Sequence, residues 1–304
     1  MSDLEVRQLR YFVAVAEELH FGRAAGRLGM AQPPLSRAIR ELERQLGVQL
    51  LERTTRSVAL TRAGETLLRD ARTVLEAVGA ADRRARHAGR PSARLRLALK
   101  ADNDGGMLSE ILAAYQREDA SLPVELIWGG RDEQAQALRD GRADVGLLLN
   151  PFDDRGLDFE PLRTEPRIAV LAADDPLAGR ASLKLADLAG RLLPDGSPVV
   201  PGEKPTAFAQ SRLQAVRRGL IAEPRPPVSD LSQLFRLVEL GCVVCLLPAW
   251  VTRAYPRAEL VHIPVEDAEP AVLSVGWPRD ARSPATAAFV RAAQAAFEAA
   301  ARAA

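Results

Sequence analysis

Four side chains that can bind anions lie on one side of a predicted helix between Ala31 and Gly47. A guanidinium group donates paired hydrogen bonds to phosphate oxygens or to the O6 and N7 atoms of guanine. Apolar residues recur every three or four positions on the opposite side. Periodicity alone favours an ordinary amphipathic helix with a solvated charged face. The polar set is Ser36, Arg37, Arg40 and Arg44, and the apolar set is Leu35, Ile39, Leu42 and Leu46.

The residues around this helix predict a helix-turn-helix. Pro33 and Pro34 suit a first helical turn, where a missing N–H costs nothing. Gly47 suits a left-handed cap that ends the helix. A shorter helix over 23–28 precedes it, and residues 29–31 form the turn. Two helices joined by a tight turn, the second presenting serine and arginine outward, are typical of this motif.

Residues 24–64 resemble the N-terminal signature of LysR-type transcriptional regulators at fixed spacing along their whole length. The resemblance implies a sequence-specific DNA-binding regulator whose recognition helix begins near Pro33. It is far more specific than a short motif, and it outweighs the simpler interpretation of the helix. The matching residues are Ala24-Ala25-x-x-Leu28, Gln32-Pro33-Pro34-Leu35-Ser36, Leu42-Glu43, Leu46-Gly47, Leu50-Leu51-x-Arg53 and Leu60-Thr61-x-Ala63-Gly64.

The same resemblance implies which side chains approach DNA. Residues at the start of the recognition helix would lie nearest the bases in the major groove, and Arg40 and Arg44 would lie towards phosphates. Val48 to Thr61 would form a two-stranded wing at the minor groove, where a narrow groove attracts arginine. The expected DNA-binding residues are Gln32, Pro33, Ser36, Arg37, Arg40, Arg53 and Arg56.

Two residues depart from the family pattern at helix starts. His20 stands where a capping serine is frequent, and Ala31 replaces another frequent serine. Each change is expected to remove a side-chain cap that is commonly worth about 1 kcal/mol. The starts of these two helices are therefore expected to be held less firmly.

A long helix is expected from Arg62 to about Ala88, with Thr61 as its cap. Its apolar residues recur at three to four positions, which suits a partner helix or packing against the same chain. The resemblance favours a linker that joins two copies into a homodimer or homotetramer, so that paired heads read split sites. The expected dimerisation residues are Leu67, Ala71, Val74 and Val78.

From Ala93 onward, short apolar runs alternate with helices, which predicts a mostly parallel sheet. This order resembles the effector-binding half of the same family, a two-lobed periplasmic-binding-protein-like (type 2) fold. The expected fold class is therefore multi-domain α/β, with a winged helix-turn-helix, a long linker helix and an effector domain. The expected domains are residues 1–60, 61–90 and 91–304, with lobe one at 91–163 and 267–304 and lobe two at 164–266.

In a parallel sheet, ligands bind beyond the carboxyl ends of the strands. A small metabolite, often an anion in this family, would bind there, and no cofactor is expected. Asp102 and Arg131 could hold the two charges of a zwitterion, or could pair with each other and exclude anions. The expected effector-binding residues are Asp102, Asn103, Gly130, Arg131, Asn150, Pro201, Phe208 and Asp230.

Charge and motif content weigh against other classes of protein. The first 90 residues carry 16 basic and 11 acidic side chains, and the remainder carries 25 and 29, which suits DNA contact by the head alone. Chance can also produce a difference of this size. The three histidines, His20, His87 and His262, form no catalytic set, and no phosphate loop or nucleophile elbow is present. We therefore expect no catalytic residues.

Cys242 and Cys245 are expected on opposite faces of a strand over 242–247, as buried thiols with no metal. No secretion leader or membrane-spanning segment is evident, which predicts a cytoplasmic protein that does not associate with a membrane. The missing leader also argues against a free-standing solute-binding protein. The expected partners are double-stranded DNA, a second copy, a metabolite and RNA polymerase. The alternative is an effector-independent regulator or an architectural DNA protein.

Overall fold

The computed structural model describes residues 4–53, 58–88, 94–130, 133–202 and 230–303. The chain separates into two compact units, and each is described by itself. The first comprises Met1–Arg90 together with Arg139–Gly141, and the second comprises Pro91–Leu138 and Arg142–Ala304.

The first unit contains a head of three helices and a hairpin, followed by a long helix. Phe12, Leu35, Ile39 and Leu42 are fully buried between the helices, so the apolar stripe predicted for the recognition helix forms the core of the head. The elements are α1 Val6–Glu18, α2 Phe21–Arg27, α3 Gln32–Leu46, β1 Leu51–Arg53, β2 Val58–Leu60 and α4 Arg62–Ala88.

The starts and ends of α2 and α3 agree with the sequence-based expectations except at His20. Pro33 lies in the first turn of α3, and Gly47 takes the left-handed conformation with φ of 70°. Ala31 makes no side-chain cap, as expected. The expected loss of a cap at His20 is wrong, because its Nδ1 accepts hydrogen bonds from the N–H groups of Gly22 at 3.1 Å and Arg23 at 3.2 Å. Imidazole therefore replaces serine as the cap of α2.

Helix α4 is joined tightly to the base of the hairpin. The Thr61 hydroxyl accepts from the Gly64 N–H at 3.0 Å and donates to the Gln49 carbonyl at 2.7 Å. A methyl group at Gly64 would lie 2.1 Å from the Leu50 carbonyl oxygen. The first turn of α4 can approach the hairpin this closely only because residue 64 has no side chain.

An ionic contact ties α1 to both α2 and α4. Glu17 accepts from Arg72 at 2.8 Å through Oε1 and from Arg27 at 2.8 Å through Oε2. Burial raises the pKa of Glu17, but the hydrogen bonds and charges of the two arginines outweigh burial and lower it. The resulting stabilisation is present above the ordinary pKa of a glutamate and is lost as the pH falls through the lowered value.

The second unit holds two sheets among its described strands. The first has the order β4-β3-β5-β10-β6, and the second has the order β8-β7-β9. The elements are β3 Leu95–Leu99, α5 Leu108–Tyr115, β4 Val124–Trp128, α6 Glu133–Arg139, β5 Val145–Leu149, β6 Leu157–Glu165, β7 Arg167–Ala172, a 3₁₀ helix Leu185–Leu188, α7 Leu231–Glu239, β8 Cys245–Pro248, α8 Ala249–Ala254, β9 Leu260–Pro264, β10 Ala271–Pro278 and α9 Pro284–Ala303.

The expectation of mostly parallel sheets is wrong for much of this unit. Strand β3 is parallel to β4 and β5, but β10 runs antiparallel to both β5 and β6. The described strands of the second sheet are all antiparallel. The alternation of helices and strands along the sequence could not reveal the direction of β10. This strand enters the first sheet after the chain has passed through the second sheet. Cys242 also precedes β8 instead of lying within it, and both cysteines are buried.

The chain passes between the two sheets twice in the described ranges. It leaves the first sheet between Glu165 and Arg167, and it returns between Pro264 and Ala271. Helix α8 follows β8 of the second sheet, yet its Trp250 and Val251 belong to the apolar core cluster formed mainly by the first sheet, α5 and α9. The two lobes are therefore joined by an apolar contact as well as by the crossover segments.

None of the helices in the described ranges combines the length and apolar character needed to cross a membrane.

We predict that Gly64→Ala lowers the free energy of unfolding of the head by about 1–3 kcal/mol, because the added methyl group collides with the backbone of residue 50. Chemical denaturation of the full chain, with hydrogen exchange of the head amides, measures this loss. Gly26→Ala is the matched control, since open space surrounds its added methyl group in α2. It should stabilise the head by up to about 1 kcal/mol. Equal effects of the two substitutions would contradict the close approach at residue 64.

Candidate functional site

The recognition helix α3 presents unpartnered arginines to solvent. Arg37 and Arg40 are exposed and make no ion pair or side-chain hydrogen bond with any residue in the described ranges. Arg44 differs, because its Nε donates to Glu41 at 2.9 Å, and this hydrogen bonding lowers the pKa of Glu41. Two guanidinium groups on this face therefore have their donors available for an external anion, whereas the third is already bound to a carboxylate.

The other predicted contacts of α3 lie at its start. Gln32 and Pro33 are exposed, and Ser36 is half-buried one turn further along the same helix. Their position at the N-terminal end, ahead of Arg37 and Arg40, is the arrangement by which a recognition helix directs its first turns at base edges.

The hairpin is held against α3 by one carboxylate. Oε1 of Glu43 accepts from the N–H groups of Leu50 at 3.0 Å and Leu51 at 3.1 Å. This fixes the start of β1, which pairs antiparallel with β2 as a wing does. Arg53 ends β1, and its backbone alone is described; Arg56 lies outside the described residues.

The four residues predicted for dimerisation do not share one environment. Leu67 packs against the core of the head, and Ala71 is buried within its own chain. These two follow the intrachain alternative that the periodicity had left open. Val78 is half-buried, while Val74 is 42% exposed and is the most exposed apolar residue of the set.

A cavity of about 110 Å³ lies between the two lobes of the second unit. Lobe one contributes the loop after β3, the end of β5 and the first turn of α6. Lobe two contributes the start of β7, the N-terminal half of α7 and the β8–α8 corner. Most of the lining is apolar, and its polar members are Lys100, Asp102, Asn103, Gln134, Asn150, Arg167 and Asp230.

The structure brings four of the predicted effector residues together. Asp102, Asn103, Asn150 and Asp230 all line the cavity. Gly130 is not part of this lining, although its carbonyl accepts from Gln134 at 2.9 Å. The exposed Pro201 is not part of it either, and Arg131 and Phe208 lie outside the described residues.

Arg167 and Asn150 tie the two crossover segments together at the cavity wall. Nη2 of Arg167 donates to the backbone oxygen of Asn150 at 2.7 Å and to its Oδ1 at 3.0 Å, while Nε donates to the Glu269 carbonyl at 3.0 Å. Oδ1 of Asn150 also accepts from the Val272 N–H at 2.7 Å. The outgoing crossover, the end of β5 and the returning crossover are thus held by one partly buried network, which we call the hinge network.

The loop after β3 places opposite charges in the same wall. Lys100 forms an ion pair with Asp102, and their side chains are 17% and 8% exposed. The sequence suggests Arg131 as a possible partner of Asp102, whereas the partner in the structure is Lys100. The backbone oxygen of Asp102 accepts from Trp250 Nε1 at 3.4 Å, which links this loop to α8.

Sequence reasoning missed Gln134 and Arg167 as cavity residues. Arg167 carried a usable signal, because a charged residue opens a strand whose remaining members are all buried apolar residues. Lys100 directly follows β3, where the strand-end rule already pointed. In the described ranges, no three histidine, cysteine or acidic side chains cluster as metal ligands would.

Comparison with known proteins covers both units. Residues 6–65 match the family described as bacterial regulatory helix-turn-helix protein, lysR family, and residues 88–298 match the LysR substrate binding domain. The chain is 36% identical over 283 residues to the HTH-type transcriptional regulator YnfL of Escherichia coli (strain K12), covering 91% of this chain and 93% of YnfL. It is 32% identical over 293 residues to the Hca operon transcriptional activator HcaR of the same organism, covering 94% and 96%.

Solved structures agree along nearly the whole length. CbnR, a LysR family transcriptional regulator, has 28% identity and a TM-score of 0.53, covering 97% of this chain and 99% of CbnR. Full-length CbnR complexed with its target DNA has 27% identity and a TM-score of 0.51, covering 96% and 100%. The chain belongs to the LysR family of DNA-binding transcriptional regulators, and it carries both the family's helix-turn-helix and its substrate-binding domain.

Proposed function

We propose that this regulator is switched by a small molecule that binds in the cavity between its two lobes. The observation that carries the proposal is that the cavity wall is built from both lobes and includes Arg167 of the hinge network. A ligand that contacts both walls binds one lobe arrangement better than another. It can shift the balance between arrangements only by that difference in affinity.

The proposed DNA contacts follow from the exposed face of α3. Gln32, Pro33, Ser36 and Arg37 would contact base edges in the major groove, and Arg40 would contact a phosphate. Arg53 and Arg56 are proposed for the minor groove, on the strength of the family resemblance and the paired wing strands. Free guanidinium donors at positions 37 and 40 support this assignment.

Helix α4 is proposed to pair two copies of the chain, as a homodimer or a dimer of dimers. The exposed Val74 and the half-buried Val78 support an apolar contact along this stretch, whereas Ala71 is already covered. Two heads joined in this way would read a split site on one face of the duplex. The protein would act in the cytoplasm, where the chromosome lies, and would alter the access of RNA polymerase to a promoter.

A footprint on the DNA immediately upstream of the gene, with and without pooled metabolites, tests the proposal. A split protected region whose boundaries change with one pool is the expected result. Protection that no pool alters would favour the alternative, an effector-independent or architectural DNA protein. Absence of protection at low salt would contradict sequence-specific binding at this site.

We predict that Arg37→Ala weakens binding to the protected DNA by about 1–3 kcal/mol and relaxes its sequence preference, because a base-contacting guanidinium is lost. Arg44→Ala is the matched control on the same helix. It should have a smaller effect, since Arg44 is already paired with Glu41. Fluorescence anisotropy against specific and scrambled duplexes at two salt concentrations separates base readout from phosphate contact. A larger loss for Arg44→Ala would contradict the assigned roles.

We predict that Asn150→Ala lowers the free energy of unfolding of the second unit by about 1–3 kcal/mol, because the buried Arg167 and the part-buried Val272 N–H lose their side-chain acceptor. Denaturation of the full chain, with hydrogen exchange on β5, β7 and β10, locates the loss.

The control for this prediction is Asn103→Ala. Asn103 also lines the cavity, but its side chain makes no hydrogen bond to any described residue. Its removal should cost less than about 1 kcal/mol. Similar losses for both variants would show that the hinge network contributes no special stability.

A further inference from the structure

The charges of the cavity wall near β3 are already matched within the protein. Asp102 is the ion-pair partner of Lys100, and no other described residue contacts the Lys100 ammonium group through a hydrogen bond or ion pair. Both side chains are largely removed from water. Separating a buried pair leaves an uncompensated charge in a poorly solvated place, so the pair resists replacement of either partner.

Most of the other polar groups of the lining also have partners in the protein. Gln134 donates to the carbonyls of Gly129 at 3.4 Å and Gly130 at 2.9 Å. Asp230 caps helix α7, and Arg167 donates to acceptors of the hinge network. A ligand acceptor that takes over the side-chain N–H donors of Gln134, or those donors of Arg167 that are bonded in the hinge network, must therefore break a hydrogen bond within the protein.

Asn103 is the exception among the polar side chains of the described lining. It is 9% exposed, and its side-chain amide has no hydrogen-bond partner among the described residues. An amide supplies both a donor and an acceptor to one polar group of a ligand. The remaining described wall is apolar, with Leu148, Phe152 and Leu246 among its members.

The volume limits the ligand further. The cavity measures about 110 Å³, and an apolar protein cavity of about 150 Å³ is large enough to bind benzene. The described cavity is smaller than that benzene site but is open to solvent on one side, so a one-ring or short-chain ligand bearing a single polar group can occupy it without being fully enclosed.

We infer that Asp102 determines the charge of the effector, because its carboxylate occupies the anion position at Lys100 and leaves the cavity suited to a small, uncharged, mainly apolar molecule. An effector carboxylate that approached Lys100 would lie beside the carboxylate of Asp102, so two negative charges would share one poorly solvated site. An uncharged ligand leaves the pair intact and bonds to Asn103. The inference rests on the proposed effector function and specifies its ligand class.

Benzyl alcohol and benzoate test the inference, since they share a ring and differ in charge. Calorimetric titration of the full chain at pH 7.5 and constant ionic strength should give a Kd for benzoate at least tenfold weaker than that for benzyl alcohol. Asp102→Asn should bind benzoate at least tenfold more tightly than the unaltered chain, because Lys100 loses its internal counter-charge. The double variant Asp102→Asn with Lys100→Met should lose this gain.

Three results would overturn the inference: equal or tighter binding of benzoate by the unaltered chain, no binding of benzyl alcohol at its solubility limit, or no gain of benzoate binding in a folded Asp102→Asn variant. If that variant does not fold, the comparison of the two probes on the unaltered chain still decides. Footprints with the same probes test the proposed function separately. Charge selection without any change in the footprint would count against ligand control of DNA binding alone, whereas a benzoate-dependent footprint would overturn only the inference.

Discussion

The hinge network joins the two chain segments that connect the lobes of the effector domain. Each lobe has its own sheet, and the described chain joins them through two extended segments. Arg167 lies at the start of the first strand after the outgoing segment, and its guanidinium spans to Asn150 and to the returning segment. Any change in the angle between the lobes must alter these bonds. Because the same arginine lines the cavity, a ligand bound there, as proposed, would contact a residue of the hinge network.

The apolar contact of α8 complements this network on another side of the cavity. Trp250 packs into the core of lobe one although its helix follows a strand of lobe two. Its indole N–H reaches the loop that carries the Lys100–Asp102 pair. The loop that carries the Lys100–Asp102 pair is therefore positioned by both lobes. A substitution in this loop would also alter its contact with α8. Two contacts therefore join the lobes, the hydrogen bonds of the hinge network and the apolar contact of α8. The cavity is lined by residues of both, Arg167 and Val251.

The sequence predicted the head well and the cavity only in part, for physical reasons. In the head, local signals decide the structure: Pro33 begins a helix, Gly47 ends one, and the apolar period of α3 predicts its buried face. The expected weakness at His20 failed because an imidazole nitrogen can accept the same N–H groups as a hydroxyl. In the cavity, Arg167 acquires its role from residues 17 and 102 positions away, which no local pattern reveals. The pairing of Lys100 with Asp102 likewise depends on the path of one loop.

The contact between Gly64 and the base of the wing has a mechanical consequence. With no space for even a methyl group at this joint, and with Thr61 bonded to both sides of it, the head and the first turn of α4 move as one body. The helix has 27 residues and is therefore about 40 Å long at 1.5 Å per residue. If the head and α4 rotate together by about 10°, the far end of the helix moves through roughly 7 Å over that length. Through this close joint, a small rotation of the recognition helix would become a large displacement at the other end of α4.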